Sequence, residues 1–424
     1  DYFNTKPPLT TWLHLISIKT FGYNELAIRI PSAIASFVST LCLFRFVSRH
    51  FNYTTAWVAA IVTITATGYV NFHTARTGES DAILSLFLLL LNLHFIEFLL
   101  TEKRRSIFYC FLFLTLAFAT KLYAAFLFIP AYLFALIYFK NLKLFVVNKT
   151  FLTGLFLFLL TSFTLIYLRE INAPGYFQLI WLNDAGRLLN VGEEFQKPFW
   201  FYIENFYEVR FRTFFIPFLL GCLLLFVVEQ SDKSKKILLT TFALICAYLF
   251  IISLSKTKLP WYDMPLYPLL AIITVYPLYA LIKPVNGDPV KLSKSAITFI
   301  LIGLLSYPFY FQFSKSQGNK IDEGDALLEI NSIYLYEAIE KGNNLDGLNI
   351  LHKSFDAPLL FYKYKLQEDN QFIQLHKNTD NLQVGQQVLV GQKEQKDLLN
   401  AQFETKVIDQ YHTAQVFLIT KKRP

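Results

Sequence analysis

The chain has 424 residues, 54% of them hydrophobic, including 44 Phe and only 17% charged, and its mean hydropathy is +0.39. One soluble core cannot hide that much apolar surface, so a single soluble domain is excluded and a polytopic membrane protein is expected. The net charge of +8 is unevenly spread, and no nucleic-acid partner is expected.

In chain order, a short polar stretch, Asp1-Tyr-Phe-Asn-Thr-Lys-Pro-Pro8, precedes a short amphipathic helix. Apolar runs able to cross ~30 Å of hydrocarbon as helices follow at 26–47, 55–71, 82–100, 107–120, 122–139, 151–168, 211–228, 237–254, 264–282 and 296–313. This predicts an all-α domain of about ten transmembrane helices. The stretch 107–139 reads as two short helices divided at Lys121, or as one long kinked helix. No secretory signal opens the chain, which begins inside a loop motif, so an upstream helix and loop are expected to precede it.

Short loops rich in Lys and Arg resist translocation. If the spans alternate, one face receives Arg45 and Arg49; Lys103, Arg104 and Arg105; Lys140, Lys143 and Lys149; Lys233, Lys235 and Lys236; and Lys283, Lys291 and Lys294. That face is expected to be cytoplasmic. The opposite face receives residues 2–8, 72–81, Thr120-Lys121, 169–210, 255–263 and everything after Phe313. Splitting the chain at Lys121 keeps this pattern consistent.

The tail differs in kind. Residues 321–424 hold 11 Lys and Arg against 15 Asp and Glu, a net of −4, which leaves 28 and 16, a net of +12, before them. Domains are expected at 1–314 and 315–424. The tail reads as helix 325–341, strand 348–352, helix 357–366, strands 372–376 and 387–390, helix 393–401, and one or two strands over 405–419. This alternation predicts a small soluble α/β domain. Cys42, Cys110, Cys222 and Cys246 all lie in apolar runs, with no spacing that suggests a disulfide framework or a zinc site.

The polar stretches carry the chemistry. Lys6, stiffened by Pro7 and Pro8 at a bilayer surface, is suited to gripping a phosphate. Glu79 and Asp81 open an apolar helix, where the macrodipole stabilises negative charge. A plain capping role for Ser80 or Asp81 also accounts for that position. Arg76 beside the two carboxylates makes a cluster that is costly at a membrane edge unless it serves a polar ligand. Lys256 and Lys258, before Pro260 and Tyr262, form another anion grip, with snorkelling as the alternative. Lys121 at a helix boundary is read both ways. His94 and Glu97 read as a structural pair. His14 and His73 would hold a metal only if they converged. The loop 169–210, with Trp181, Asp184, Arg187, Glu193 and Glu194, is expected to roof the cavity.

Four stretches in order resemble the polyprenyl-phosphate-sugar-dependent glycosyltransferases, the bacterial aminoarabinose (lipid A) transferase family related to protein O-mannosyltransferases. They are Tyr2-Phe3-x-x-Lys6-Pro7-Pro8-Leu9, with Phe21-Gly22, Glu25-Leu26-Ala27 and Arg29-Ile30-Pro31-Ser32 after it; Ala75-Arg76-Thr77-Gly78-Glu79-x-Asp81-Ala82; Ala119-Thr120-Lys121; and Ser253-x-Ser255-Lys256-x-Lys258-Leu259-Pro260-x-Tyr262-x-x-Pro265. They cover roughly residues 1–270.

The resemblance implies a C-type glycosyltransferase fold, with an outward-facing cavity and a soluble domain after the last helix. It implies a polyprenyl-phosphate-linked sugar as donor and a lipid, glycan or protein as acceptor. Lys6, Arg76, Lys121, Lys256 and Lys258 become candidates for the phosphate, Tyr262 a hydrogen-bond donor to it, and Asp81 and Glu79 the acidic catalytic pair. The resemblance fixes no cofactor and leaves a divalent cation open; where one is used, it falls to those two acids. The family's principal catalytic aspartate lies a couple of dozen residues before the first motif, upstream of residue 1, and Asp1 is not its counterpart. Thr5 stands where many aminoarabinose transferases carry an acid, so neither a metal site built on that acid nor lipid A as acceptor follows. A lipid-linked sugar transporter or flippase is the rival class. Transporters tend to place charge near the midplane and to show internal repeats, whereas here the motifs gather at one face.

Overall fold

The structure, a computed structural model, describes residues 5–71, 73–182, 196–282, 303, 305–314, 323–353 and 356–423, with the backbone alone for 323–329. The chain divides into two compact units, residues 1–315 and 316–424.

The first unit is helical. Pro8, with φ already set for a helix, starts α1 (Pro8–Phe21), which ends at Gly22, where φ is +83°. Its buried residues are Thr10 and Ser17, while Trp12, Leu15 and Ile16 are exposed. An apolar side turned outward suits a helix lying against lipid. The Asn24 side chain accepts the Ala27 amide at 2.8 Å and caps α2 (Glu25–His50). Asn52 caps α3 (Tyr53–Thr65) through the Thr55 amide, and a short turn, α4 (Thr67–Val70), follows.

Next come α5 (Ser80–Thr101) and α6 (Arg104–Lys121), packed along each other, then a 3-10 turn Leu122–Phe126, α7 (Ile129–Tyr138), α8 (Leu142–Val146), α9 (Lys149–Asn172) and α10 (Tyr176–Ile180). After residue 196 come α11 (Phe201–Asn205), a π-helical turn Phe206–Arg210, α12 (Arg212–Val227), α13 (Asp232–Leu254), a 3-10 turn Pro260–Leu266, α14 (Tyr267–Thr274) and α15 (Tyr276–Ile282).

Among the described residues, six helical segments are long and apolar enough to cross a bilayer: Glu25–His50, Ser80–Thr101, Arg104–Phe126, Lys149–Asn172, Asp232–Leu254 and Pro260–Ile282. Shorter apolar helices occupy Tyr53–Thr65, Ile129–Tyr138 and Arg212–Val227. The protein is therefore membrane-embedded. Three of the expected spans are not single rods. The run at 55–71 breaks at Ala66, whose ψ is 120°. The run at 122–139 opens with a 3-10 turn, because Leu122 takes φ +36° directly after Lys121. The run at 264–282 is interrupted at Pro265, Pro268 and Pro277, which lack the amide a continuous helix needs. Most of the expected span at 296–313 lies outside the described residues; 305–314 are helical.

Helix packing here depends on small residues, as is common where lipid supplies no hydrophobic drive. A β-carbon added at Gly221 on α12 would lie 2.1 Å from the carbonyl oxygen of Ile273 on α14. Because backbone cannot swing aside, Gly221→Ala is expected to cost about 1–3 kcal/mol, read as a lower melting temperature of the detergent-solubilised protein. Gly175→Ala, where nothing lies within 4 Å but φ is +91°, separates backbone strain from this clash.

The second unit is α/β. It holds α16 (Glu323–Glu340), β1 (Asn349–Leu351), α17 (Ala357–Glu368), β2 (Gln374–His376), β3 (Gln387–Val390), α18 (Lys393–Gln402), β4 (Phe403–Tyr411) and β5 (Ala414–Lys422). The strand order is β2-β1-β3-β5-β4, with β1 parallel to both neighbours and β5 antiparallel to β3 and β4. The 405–419 region thus forms two strands of a hairpin. Ile350, Leu389 and Val416 join one apolar cluster with Leu335, while Val388, Val390 and Phe417 join another with Leu399. Successive residues of β3 point to opposite faces, so both faces are covered, as a mixed α/β sheet requires.

Candidate active site

Four of the polar stretches meet. Lys6 before α1, Asp81 in the first turn of α5, Lys121 at the end of α6, and Ser255 and Tyr262 around the 3-10 turn line a cavity of about 160 Å³. Tyr123, Tyr248 and the apolar side chains Leu84, Leu127, Ile251 and Ile252 complete it.

Each group is held by its own element. The Tyr176 hydroxyl donates to the carbonyl of Thr5 at 3.1 Å, fixing the strand of chain that carries Lys6. Asp81 is 4% exposed at a helix start whose dipole favours its charge. That start is anchored by Ser32, whose hydroxyl donates to the Glu79 carbonyl at 2.9 Å, and by the close packing of Gly78 on Ile28. Lys121 Nζ lies 2.6 Å from Asp81 Oδ1 and 4.9 Å from the centre of the Tyr262 ring. A charge-assisted hydrogen bond and a cation–π contact therefore converge on one ammonium.

The fourth stretch is braced from below. The Tyr248 hydroxyl donates to the Tyr262 carbonyl at 3.0 Å and the Tyr202 hydroxyl to the Leu259 carbonyl at 3.1 Å. Arg210 makes a forked pair with Asp263, Nη2–Oδ1 2.7 Å and Nε–Oδ2 2.9 Å, and also donates to the Gly68 carbonyl at 2.9 Å. The Tyr267 hydroxyl donates to Asp263 at 2.8 Å. One buried guanidinium thus ties the α4 turn, the π-helical turn and the turn bearing Tyr262.

The other candidates fall outside the cavity. Glu79 stands one residue before the helix, where His73 Nδ1 lies 3.4 Å from its carboxylate and the His73 ring stacks on Trp261 at 3.8 Å. The hydrogen bond from His73 holds the Glu79 carboxyl below its ordinary range. The expected cluster of Arg76 with two acids is accordingly replaced by two separate pairs, Asp81–Lys121 and Glu79–His73. Asp81 turns inward with the helix, while Arg76 is exposed and has no ion-pair partner among the described residues. Lys256 is exposed. Lys258 is buried, donates to the Ser255 carbonyl, and is shifted below its ordinary value by that burial.

A pH consequence follows for Glu79. Its folded-state value lies below the unfolded one, so its contribution is present above the unfolded value, about pH 4.3, and is lost as pH falls through the folded value. Glu79→Gln should lower the melting temperature near pH 7 and flatten the acid side of a profile taken from pH 3 to 7, with variant and wild type converging as the pH falls.

The expected His94–Glu97 pair is not formed. Glu97 is held by His50 Nε2 at 2.8 Å and Arg49 at 3.2 Å, because α2 packs against this face of α5. His94 stacks on Tyr109 instead. Among the described residues, no three His, Cys, Asp or Glu side chains group closely enough to hold a metal ion. Asp184, Arg187, Glu193 and Glu194 of the expected roof lie outside the described residues. Sequence reasoning missed Tyr248, Tyr202 and the Arg210–Asp263 pair. A tyrosine in an apolar span needs a partner for its hydroxyl, and an arginine at a span boundary needs a carboxylate or carbonyl; those were the available signals.

Residues 5–167 match the family model described as dolichyl-phosphate-mannose-protein mannosyltransferase. A protein of Aquifex aeolicus (strain VF5) of undescribed function is 25% identical over 316 residues, covering 73% of this chain and 60% of that protein. The "Putative mannosyltransferase YkcB" of Bacillus subtilis (strain 168) is 30% identical over 128 residues, 30% of this chain and 18% of its own length. The chain therefore spans less than two thirds of these curated relatives. ArnT from Cupriavidus metallidurans superposes with a TM-score of 0.71 in its undecaprenyl-phosphate-bound crystal structure, at 13% identity, over 97% of this chain and 87% of that one. Its apo structure gives 0.67. The family resemblance carried by the motifs is borne out over residues 5–167, and the fold is that of ArnT.

Proposed function

We propose that this protein is an integral-membrane glycosyltransferase that moves a sugar from a polyprenyl-phosphate donor to a lipid, glycan or protein acceptor at the outer face of the membrane, with inversion at the anomeric carbon. The observation that carries this reading is the convergence of Lys6, Asp81, Lys121 and Tyr262, from four distant stretches, on one cavity. The match to the mannosyltransferase family model supports the reaction class, and the ArnT fold, described with undecaprenyl phosphate, supports the lipid. The orientation rests on the basic short loops at the opposite end of the helices.

The chemistry suits these groups. A sugar on a lipid phosphate leaves behind an anion, so cations belong where that charge develops; Lys6 and Lys121 supply them, with the Tyr262 hydroxyl as a donor. The acceptor hydroxyl must lose a proton as its oxygen attacks the anomeric carbon. Asp81 now shares its charge with Lys121. A phosphate oxyanion competes for the same ammonium, and the carboxylate so relieved becomes a stronger base or a firmer hydrogen-bond acceptor for the hydroxyl. A single in-line attack gives inversion, which product stereochemistry checks.

The deciding experiment supplies the full-length protein in sealed vesicles with a radiolabelled polyprenyl-phosphate sugar and a membrane extract as acceptor source. Label appearing in an acceptor supports transfer. Label that only crosses the bilayer, still on its lipid, would overturn it in favour of a flippase.

A further inference from the structure

Asp81 and Thr101 stand near opposite ends of the 22-residue α5, about 30 Å apart at 1.5 Å per residue. Near the Thr101 end a second cavity, of about 400 Å³, opens between α2, α5 and α6. Arg45, Arg49, Lys103 and Arg105 line it, and all are exposed. Glu97 is the one carboxylate in the lining, and His50 and Arg49 already occupy it. Arg45, Lys103 and Arg105 have no ion-pair partner among the described residues.

The start of α6 supplies an independent observation. Its N-cap is Lys103, no side chain caps it, and its first turn contains no acid. Arg104 and Arg105 sit there instead. Free amides and the positive end of the dipole already favour an anion at such a terminus. Placing cations there adds repulsion unless an anion is shared between them. Phe46, Leu90, Leu93 and Tyr109 supply an apolar wall beside the polar His94, Thr101 and Ser106.

We propose that this cleft binds the phosphate of an anionic phospholipid, with the headgroup between the α6 terminus and the three unpaired cations and the first acyl methylenes along the apolar wall. Cations that only orient the chain need no concavity and no uncapped helix. Here they surround both. The apolar wall distinguishes a lipid phosphate from a free one. This site is separate from the proposed transfer site and does not depend on it.

The test places the full-length protein in phosphatidylcholine nanodiscs and titrates phosphatidylglycerol, counting retained lipids by native mass spectrometry. The variant Arg45→Gln/Lys103→Gln/Arg105→Gln should bind phosphatidylglycerol about a hundredfold more weakly, at roughly a factor of five per cation. Lys140→Gln/Lys143→Gln/Lys149→Gln, which removes as many exposed cations outside the cavity, should change it less than threefold. Equal losses in both variants, or none in either, would overturn the proposal. A parallel arm adds inorganic phosphate alone. If it displaces the lipid at low millimolar concentration, the ligand is a soluble phosphate and the lipid assignment fails. Arg105→Glu guards against misfolding: a carboxylate in the first turn of α6 should raise thermal stability in pure phosphatidylcholine while excluding the lipid. Unaltered lipid retention in that variant would count against the site.

Discussion

Asp81→Asn is expected to abolish sugar transfer while the protein still reaches the membrane and purifies as a folded species. Proton removal or hydrogen-bond alignment by a carboxylate contributes about 10²–10⁴-fold, and an amide of the same shape supplies neither the charge nor the basicity. The variant also leaves Lys121, whose side chain is 13% exposed, without its counter-charge, so some loss of stability is expected as well. The two effects can be separated. Asp81→Asn/Lys121→Met removes both charges and should recover melting temperature relative to the single variant, yet remain inactive. Lys6→Ala, which keeps both members of that pair, should cost activity. Transfer within twofold of wild type in both Asp81→Asn and Lys6→Ala would remove the site assignment.

The sequence made the helices legible wherever one apolar run matched one rod. Residues 82–100 became Ser80–Thr101 and 151–168 became Lys149–Asn172, because a bilayer-length run with no internal breaker has few alternatives. It misled where the breaker was subtle. Ala66 carries no break signal, and the run through Leu122 turns into a 3-10 segment because α6 must stop with Lys121 at the cavity. The site divided along the same line. Lys6, Asp81, Lys121 and Tyr262 were found because motif residues at helix ends stand out against apolar surroundings. Arg76 was over-read, since proximity in sequence to Glu79 and Asp81 says nothing of which way a loop side chain faces. The His94–Glu97 spacing was compatible with a pair, but α2 brought His50 and Arg49 closer. Pairing across elements, as in Arg210–Asp263 at a separation of 53 residues, is invisible to any local reading.

That pair predicts the largest effect on stability. Arg210 and Asp263 are 6% and 0% exposed, and the two hydrogen bonds between them are short and forked. Replacing Arg210 by Met leaves a fully buried carboxylate with the Tyr267 hydroxyl and a backbone amide but no counter-charge from Arg210, and breaking a buried pair in this way costs about 3–5 kcal/mol. Asp263→Asn, which keeps shape and one acceptor, should cost less. Arg210→Met/Asp263→Leu should be more stable than Arg210→Met alone, since two apolar groups in place of a pair are often neutral, and the cycle measures the coupling. Neither residue lines the cavity. The double variant should nevertheless stay well below wild-type activity, because Arg210 also holds the Gly68 carbonyl and Asp263 immediately follows Tyr262. Once the fork is gone, the turn bearing Tyr262 keeps the Tyr202 and Tyr248 hydroxyls but loses its tie to Arg210, and small displacements of a positioned group are costly to catalysis. A double variant with wild-type turnover would mean the fork serves folding alone, and that Tyr262 needs no bracing from beneath.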